Sequence, residues 1–155
     1  MKLLKKLLAG LGVVFSLLLL VAGSLLYLSS RFRDEHEPFI REFMSDYSRR
    51  WETADVYDRL APECLEQIQS PNGEQAVASF RRLGRLLEIT DISLQNFYAG
   101  TGGKSGIFVF KARFEAAPAL VHLAIREADS QVRVVALNVT PSAELQQPAS
   151  NPTHL

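Results

Sequence analysis

The run Gly102-Gly103-Lys104-Ser105 carries the glycine, lysine and hydroxyl that close a phosphate-binding loop. That loop also needs a glycine separated by four residues from the Gly-Lys pair, and counting back from Gly103 places Tyr98 there. The residues after Ser105, IFVFKARF, alternate as a strand does, whereas a bound phosphate would sit on a helix N-terminus. The segment from Gly100 to Gly106 therefore reads as a glycine-rich connection between strands. Histidine offers no metal chemistry: His36 lies in the acidic run DEHE, His122 is alone on a strand face and His154 lies near the end of the chain, so no spacing supplies three ligands. No metal or cofactor is expected. The carboxylate pairs Asp55 with Asp58 and Glu63 with Glu66 have the i,i+3 spacing of solvent-facing helical residues. Cys64 is the single cysteine, which excludes an intramolecular disulfide, and its neighbours Leu65 and Ile68 favour a buried, inert thiol. No catalytic constellation emerges, so catalysis is not expected.

Binding chemistry has more to draw on. His122 and Arg126 share one strand face, and Lys111 and Arg113 share a face of the preceding strand. Pointed into a common cavity, these four would hold an anionic ligand, with Tyr47, Trp51, Tyr57 and Phe97 supplying apolar walls. The competing reading makes the basic residues a solvated sheet face and assigns the aromatics, with Phe80, Phe108, Phe110 and Phe114, to the core. Arg81, Arg82 and Arg85 form the densest basic patch. It suits anionic lipid headgroups or an acidic partner, or simply a solvated helix face.

The elements that must position these residues begin with Leu7 to Leu28, LLAGLGVVFSLLLLVAGSLLYL, which holds no charge and follows Lys2, Lys5 and Lys6. As a helix it spans ~33 Å, enough for a hydrocarbon core of ~30 Å. A cleaved signal peptide has the same basic and apolar regions, and Ala22-Gly23-Ser24 offers a weak cleavage site. The apolar run continues past that site through Leu28, which favours an uncleaved anchor over residues 1–30. Three lysines before the helix against Arg31 and Arg33 after it favour a cytoplasmic N-terminus, with the remainder periplasmic or extracellular in an inner or plasma membrane. Beyond those lysines, 14 basic residues meet 17 acidic ones, a net charge of −3, which argues against a nucleic-acid partner.

Residues 31–141 are the size of one domain. Phe39, Phe43, Tyr47 and Trp51 recur every four residues, beside Ile40 and Met44, and predict a helix that starts between residues 34 and 38. Two short helices are expected across Ala54 to Gln69, broken at Pro62. A turn at Ser70 to Gly73 precedes another helix, with Asn72 and Gln75 as a capping pair and Gly84 as its stop. The period then falls to two, in strands over Leu86–Tyr98, Ile107–Phe114, Ala119–Arg126 and Val132–Thr140. Short connections make these a four-stranded antiparallel meander. Helices followed by strands give an α+β fold with the long helix packed across a curved sheet. The proline-rich residues 142–155 read as a disordered tail.

This layout resembles the nuclear transport factor 2-like and cystatin-like α+β cone superfamily, above all its small bacterial envelope domains, over about residues 35–140. Trp51 near the end of the first helix and FRRLG at Phe80 to Gly84 carry the resemblance. It implies a cone-like fold with a helix-to-sheet cavity. Its members range from isomerases and dehydratases to transport factors and secretion scaffolds, so the fold leaves function open. The Asp and His acid/base positions of the catalytic members find no clear match here. The expectation is a single-pass, membrane-anchored envelope domain that works through a protein partner or homodimer. A binder of a small apolar or anionic ligand is the alternative, and an isomerase- or dehydratase-like enzyme stands behind it.

Overall fold

The computed structural model describes residues 1–142, without the side chains of residues 3, 4 and 7–9. All of the expected tail except Ser142 therefore lies outside the described residues. The fold is α+β: a long apolar N-terminal helix, short helices, and a curved, open, four-stranded antiparallel sheet.

The first helix, α1, runs without interruption over Lys2–Ser48, which corrects the expectation of a new helix starting between residues 34 and 38. Its course takes in three residues that ordinarily weaken a helix. Ser29 and Ser30 donate their hydroxyls to the carbonyls of Leu26 and Tyr27, both at 2.9 Å, and so keep their polar groups inside the helix. Pro38 lies within the helix, where it removes one backbone donor and its ring crowds the carbonyl of Asp34, a cost that the packing of the residues beyond it must offset. The chain divides into two compact units, Met1–His36 and the residues from Glu37 onward. In the first, the helix is long and apolar enough to cross a membrane, with a mean hydropathy of 2.4 over its most apolar window and none of that window buried.

In the second unit, Ile40, Phe43, Met44 and Tyr47 are at most 1% exposed, whereas Phe39 is only half-buried. Residues four apart on a helix advance by ~40° per step, so the expected row from Phe39 to Trp51 drifts and Phe39 falls at its margin. After Ser48 the helix ends with Trp51 in the left-handed region at φ 54°, its N–H donating to Tyr47 O at 2.8 Å. Glycine usually fills such a helix C-cap position. Here the tryptophan is held by ring contacts with Tyr47, Phe80 and Phe114 at 5.1, 5.4 and 5.7 Å, and by Nε1 donating to Gly84 O at 2.9 Å.

Two single 3-10 turns, Thr53–Asp55 and Tyr57–Arg59, replace the first of the two expected short helices. Val56 and Leu60 anchor them inward, 0% and 2% exposed. The chain then extends at Leu60, and Ala61 N–H donates to Val134 O at 2.8 Å. Pro62 opens α2 (Pro62–Gln69) at its first turn, where no donor is needed. Ser70 ends α2 and caps α3 (Pro71–Arg81), its Oγ accepting from Gly73 N–H at 3.2 Å. This serine, rather than the expected Asn72 and Gln75 pair, is the cap, because Pro71 already occupies the first helical position. Gly84, at φ 78°, follows the helix as the stop that was expected.

The strands β1 (Leu86–Gly100), β2 (Gly103–Phe114), β3 (Pro118–Ala128) and β4 (Gln131–Pro141) pair in sequence order as a meander. Inward rows are as alternation predicts on β2 and β3: Phe108, Phe110, Ala112 and Phe114, then Val121, Leu123 and Ile125, all at most 2% exposed. Full burial of each large side chain contributes ~1.5–3 kcal/mol. β1 departs from strict alternation. Its register shifts three times against β2, and Ile89, Leu94 and Phe97 come to oppose the inward positions Ala112, Phe108 and Gly106. Their spacings of five and three residues are odd, so each needs a bulge; Asp91, at φ 54°, lies at one.

The hairpin between β1 and β2 is tighter than the expected seven-residue loop. Gly100 pairs with Gly103, leaving Thr101 and Gly102 as the turn, so Lys104 and Ser105 are strand residues and not part of a phosphate loop. Gly103, at φ 113°, lies where a Cβ would come 2.1 Å from Glu127 O.

Candidate functional site

The eight residues proposed for a common ligand pocket divide between different places. Tyr47 and Trp51 are core residues, 1% and 2% exposed, while Tyr57 is 60% exposed. Lys111, Arg113, His122 and Arg126 alternate with the inward rows and so lie on the sheet face away from the core. Lys111 pairs there with Asp91 at 3.1 Å, Arg113 with Glu88 at 3.3 Å, and Arg126 with Glu63. These pairs neutralise the cluster that was expected to bind an anion. Phe97 is half-buried on β1 opposite Gly106.

Aromatic side chains occupy much of the space between α1 and the sheet. Phe43, Tyr47 and Trp51 form a chain of ring contacts along the helix, and Trp51 carries it to Phe114 of β2. Beside it a 60 Å³ recess is lined by residues including Tyr47, Cys64, Phe80 and Leu137, a space for a few waters. Burial pushes the Cys64 thiol up to about 11 and, as the largest influence, raises Tyr47 above the ordinary phenol value. A hydrogen bond with the Thr53 side chain and the charge of Arg81 act in the opposite direction on Tyr47. Both groups are neutral at physiological pH.

A wider cleft opens where the end of α1 meets the α2–α3 hairpin. It measures 390 Å³ and is lined by Trp51, Thr53, Ile68, Gln69, Glu74, Val77 and Arg81. The sequence places α2 and α3 one residue apart, joined at Ser70. Gly73 lets them close: a Cβ there would stand 2.0 Å from Gln67 O and 2.6 Å from Ile68 O. The cleft thereby acquires an apolar floor from Ile68 and Val77, a hydroxyl and an amide from Thr53 and Gln69, and charges of both signs from Glu74 and Arg81. Such a mixture fixes the orientation of a bound group by charge and hydrogen bonding.

Trp51 and Arg81 were expected at separate sites, a pocket and a surface patch, and here line one cleft. Thr53, Ile68, Gln69, Glu74 and Val77 were not anticipated as site residues. The turn chemistry at Ser70 to Gly73 is the signal that could have brought the ends of α2 and α3 together.

A second, shallower cleft of 290 Å³ crosses the sheet face away from the core, lined by residues including Tyr98, Ile107, Ala124 and Arg126. In the first unit, His36 is 3% exposed, and its Nδ1–H donates to Phe32 O at 2.7 Å. Among the described residues no group of three His, Cys, Asp or Glu side chains could hold a metal ion. No protein-family model, curated protein or solved structure matches the chain.

Proposed function

We propose that this protein is a single-pass membrane protein of the cell envelope, with a cytoplasmic N-terminus and a domain outside the cytoplasm that acts by binding another protein. The observation that carries this reading is the exposed, charge-free stretch of α1, long and apolar enough to cross a membrane. The residues from Glu37 onward have a core of their own, to which Ile40, Phe43, Met44 and Tyr47 contribute. The apolar run continues past the weak cleavage site at Ala22-Gly23-Ser24 through Leu28, which supports retention of the anchor. The lysines at positions 2, 5 and 6 support the orientation. The succession of helices and a curved meander supports membership of the nuclear transport factor 2-like and cystatin-like cone superfamily. The exposed mixed-charge cleft favours binding over catalysis.

Alkaline carbonate extraction of native membranes, combined with N-terminal sequencing of the mature chain and protease accessibility on each side, tests this reading. The expected result is an extraction-resistant chain that retains Leu7 to Leu28 and a domain accessible only from outside. A mature chain beginning near Leu25 would replace the tether with a secreted domain.

A further inference from the structure

We propose that the Trp51 cleft, together with the arginines at the end of α3, is the docking site for an acidic, amphipathic peptide segment of a protein partner. This rests on the reading of the domain as a binding module and names its surface and the class of its partner.

Charge is the first support. Arg41, Arg49, Arg50, Arg59, Arg113 and Arg126 each pair with a carboxylate. Arg81, Arg82 and Arg85 are exposed, and none of the three makes an ion pair among the described residues. Glu115, the carboxylate beside Gly84, accepts instead from the backbone N–H of Arg85 at 3.1 Å. The C-terminal dipole of α3 favours cations in its last turn, a weak and screened effect that does not satisfy three guanidinium groups. Their planar forks match carboxylates in pairs of hydrogen bonds.

Shape and polarity are the second support. The cleft beside Arg81 lies within the volume range of ligand sites and has an apolar floor. Glu74 and Arg81 line it from the same helix, seven residues apart, or ~10.5 Å along the axis. An extended peptide covers that distance in ~3 residues. A segment with apolar residues at its centre, carboxylates toward Arg81 and a basic or amino-terminal group toward Glu74 matches both charges of the cleft and its apolar floor. An anionic lipid surface does not, because it presents one sign of charge and would meet the carboxylate of Glu74.

The chain holds a single tryptophan, and it lines the cleft, so the fluorescence of Trp51 in the full-length protein in neutral detergent micelles reports occupancy. The probe is a synthetic peptide with a lysine near its amino end, leucines in its middle and glutamates at its carboxyl end. The same peptide with charges reversed is the comparison. Expected is a saturable change with the first peptide and none with the second, weakened at least tenfold by Arg81→Glu with Arg82→Glu and untouched by Arg113→Gln on the far sheet face. If the double variant loses the emission of the folded protein, Arg81→Ala, which suits a helix, takes its place with a smaller loss in the same direction.

No saturable change, an equal response to both peptides, or equal weakening by Arg113→Gln overturns the proposal. So does the same Trp51 response to vesicles containing phosphatidylglycerol, which would make this a lipid-facing surface. Photo-crosslinkers placed at Gln69 and at His122 in native membranes separate this proposal from the reading beneath it. Adducts only from His122 would move the interface to the sheet and leave the binding module intact; adducts from neither would overturn both.

Discussion

Cys64 and Tyr47 show how burial dominates the chemistry of a residue. Both lie in the α1–α2 region of the core, and for each the loss of water is the largest influence on its pKa. An acid whose folded value is raised stabilises the fold fully below its unfolded value, and that contribution is lost as pH rises toward the folded value. For Cys64 the window runs from its ordinary 9.0 to about 11, and Tyr47 extends the effect above its ordinary 10.0. The denaturation midpoint, followed by Trp51 fluorescence, is expected to fall across that window. Cys64→Ala should flatten the fall even though it lowers the whole curve by leaving a small cavity. Near neutral pH, iodoacetamide should leave Cys64 unmodified until denaturant is added. Rapid alkylation of the folded chain would contradict the burial described here.

At the scale of elements, the α2–α3 hairpin is where packing overrides propensity. Replacing a helical glycine by alanine ordinarily stabilises, by up to ~1 kcal/mol in a helix interior, and Gly73 lies in the first turn of α3. At Gly73 the added methyl would meet the backbone carbonyls of Gln67 and Ile68, which cannot rotate away as a side chain would. Gly73→Ala is therefore expected to destabilise by ~1–3 kcal/mol, and to weaken occupancy of the Trp51 cleft that the hairpin builds. Gly102→Ala, in the turn between β1 and β2 where nothing lies within 4 Å, should be near neutral. Denaturant titrations of the two variants separate close approach from a general effect of removing glycine. Equal behaviour would mean that the hairpin can open at no cost.

For the whole molecule, the decisive comparison is between location and folding. Leu18→Arg puts a charge near the middle of the apolar stretch, at a cost to insertion of ~2.5–3.5 kcal/mol. It should lower the carbonate-resistant fraction while leaving the emission of Trp51 unchanged. A chain that begins at Arg31 should leave the membrane fraction altogether and keep that emission, since the residues from Glu37 onward hold the aromatic and sheet core. Loss of Trp51 burial in either variant would show that the domain needs its anchor to fold.

The sequence by itself determined the apolar stretch, the α+β order and the inward rows of β2 and β3. Each depends on local quantities: length without charge, a period that changes from near four to two, and strict alternation from Phe108 to Phe114. Tertiary structure decided the rest. The continuity of α1 past Pro38 turns on whether the flanking turns keep their hydrogen bonds, which no single residue type settles. The faces of β1 depend on pairing with β2, because bulges move Ile89, Leu94 and Phe97 inward against simple alternation. The Trp51 cleft depends on three separate segments meeting, and on a glycine that lets two helices touch. Contacts between residues distant in sequence leave no periodic trace in it, so their position becomes visible only once the chain has folded.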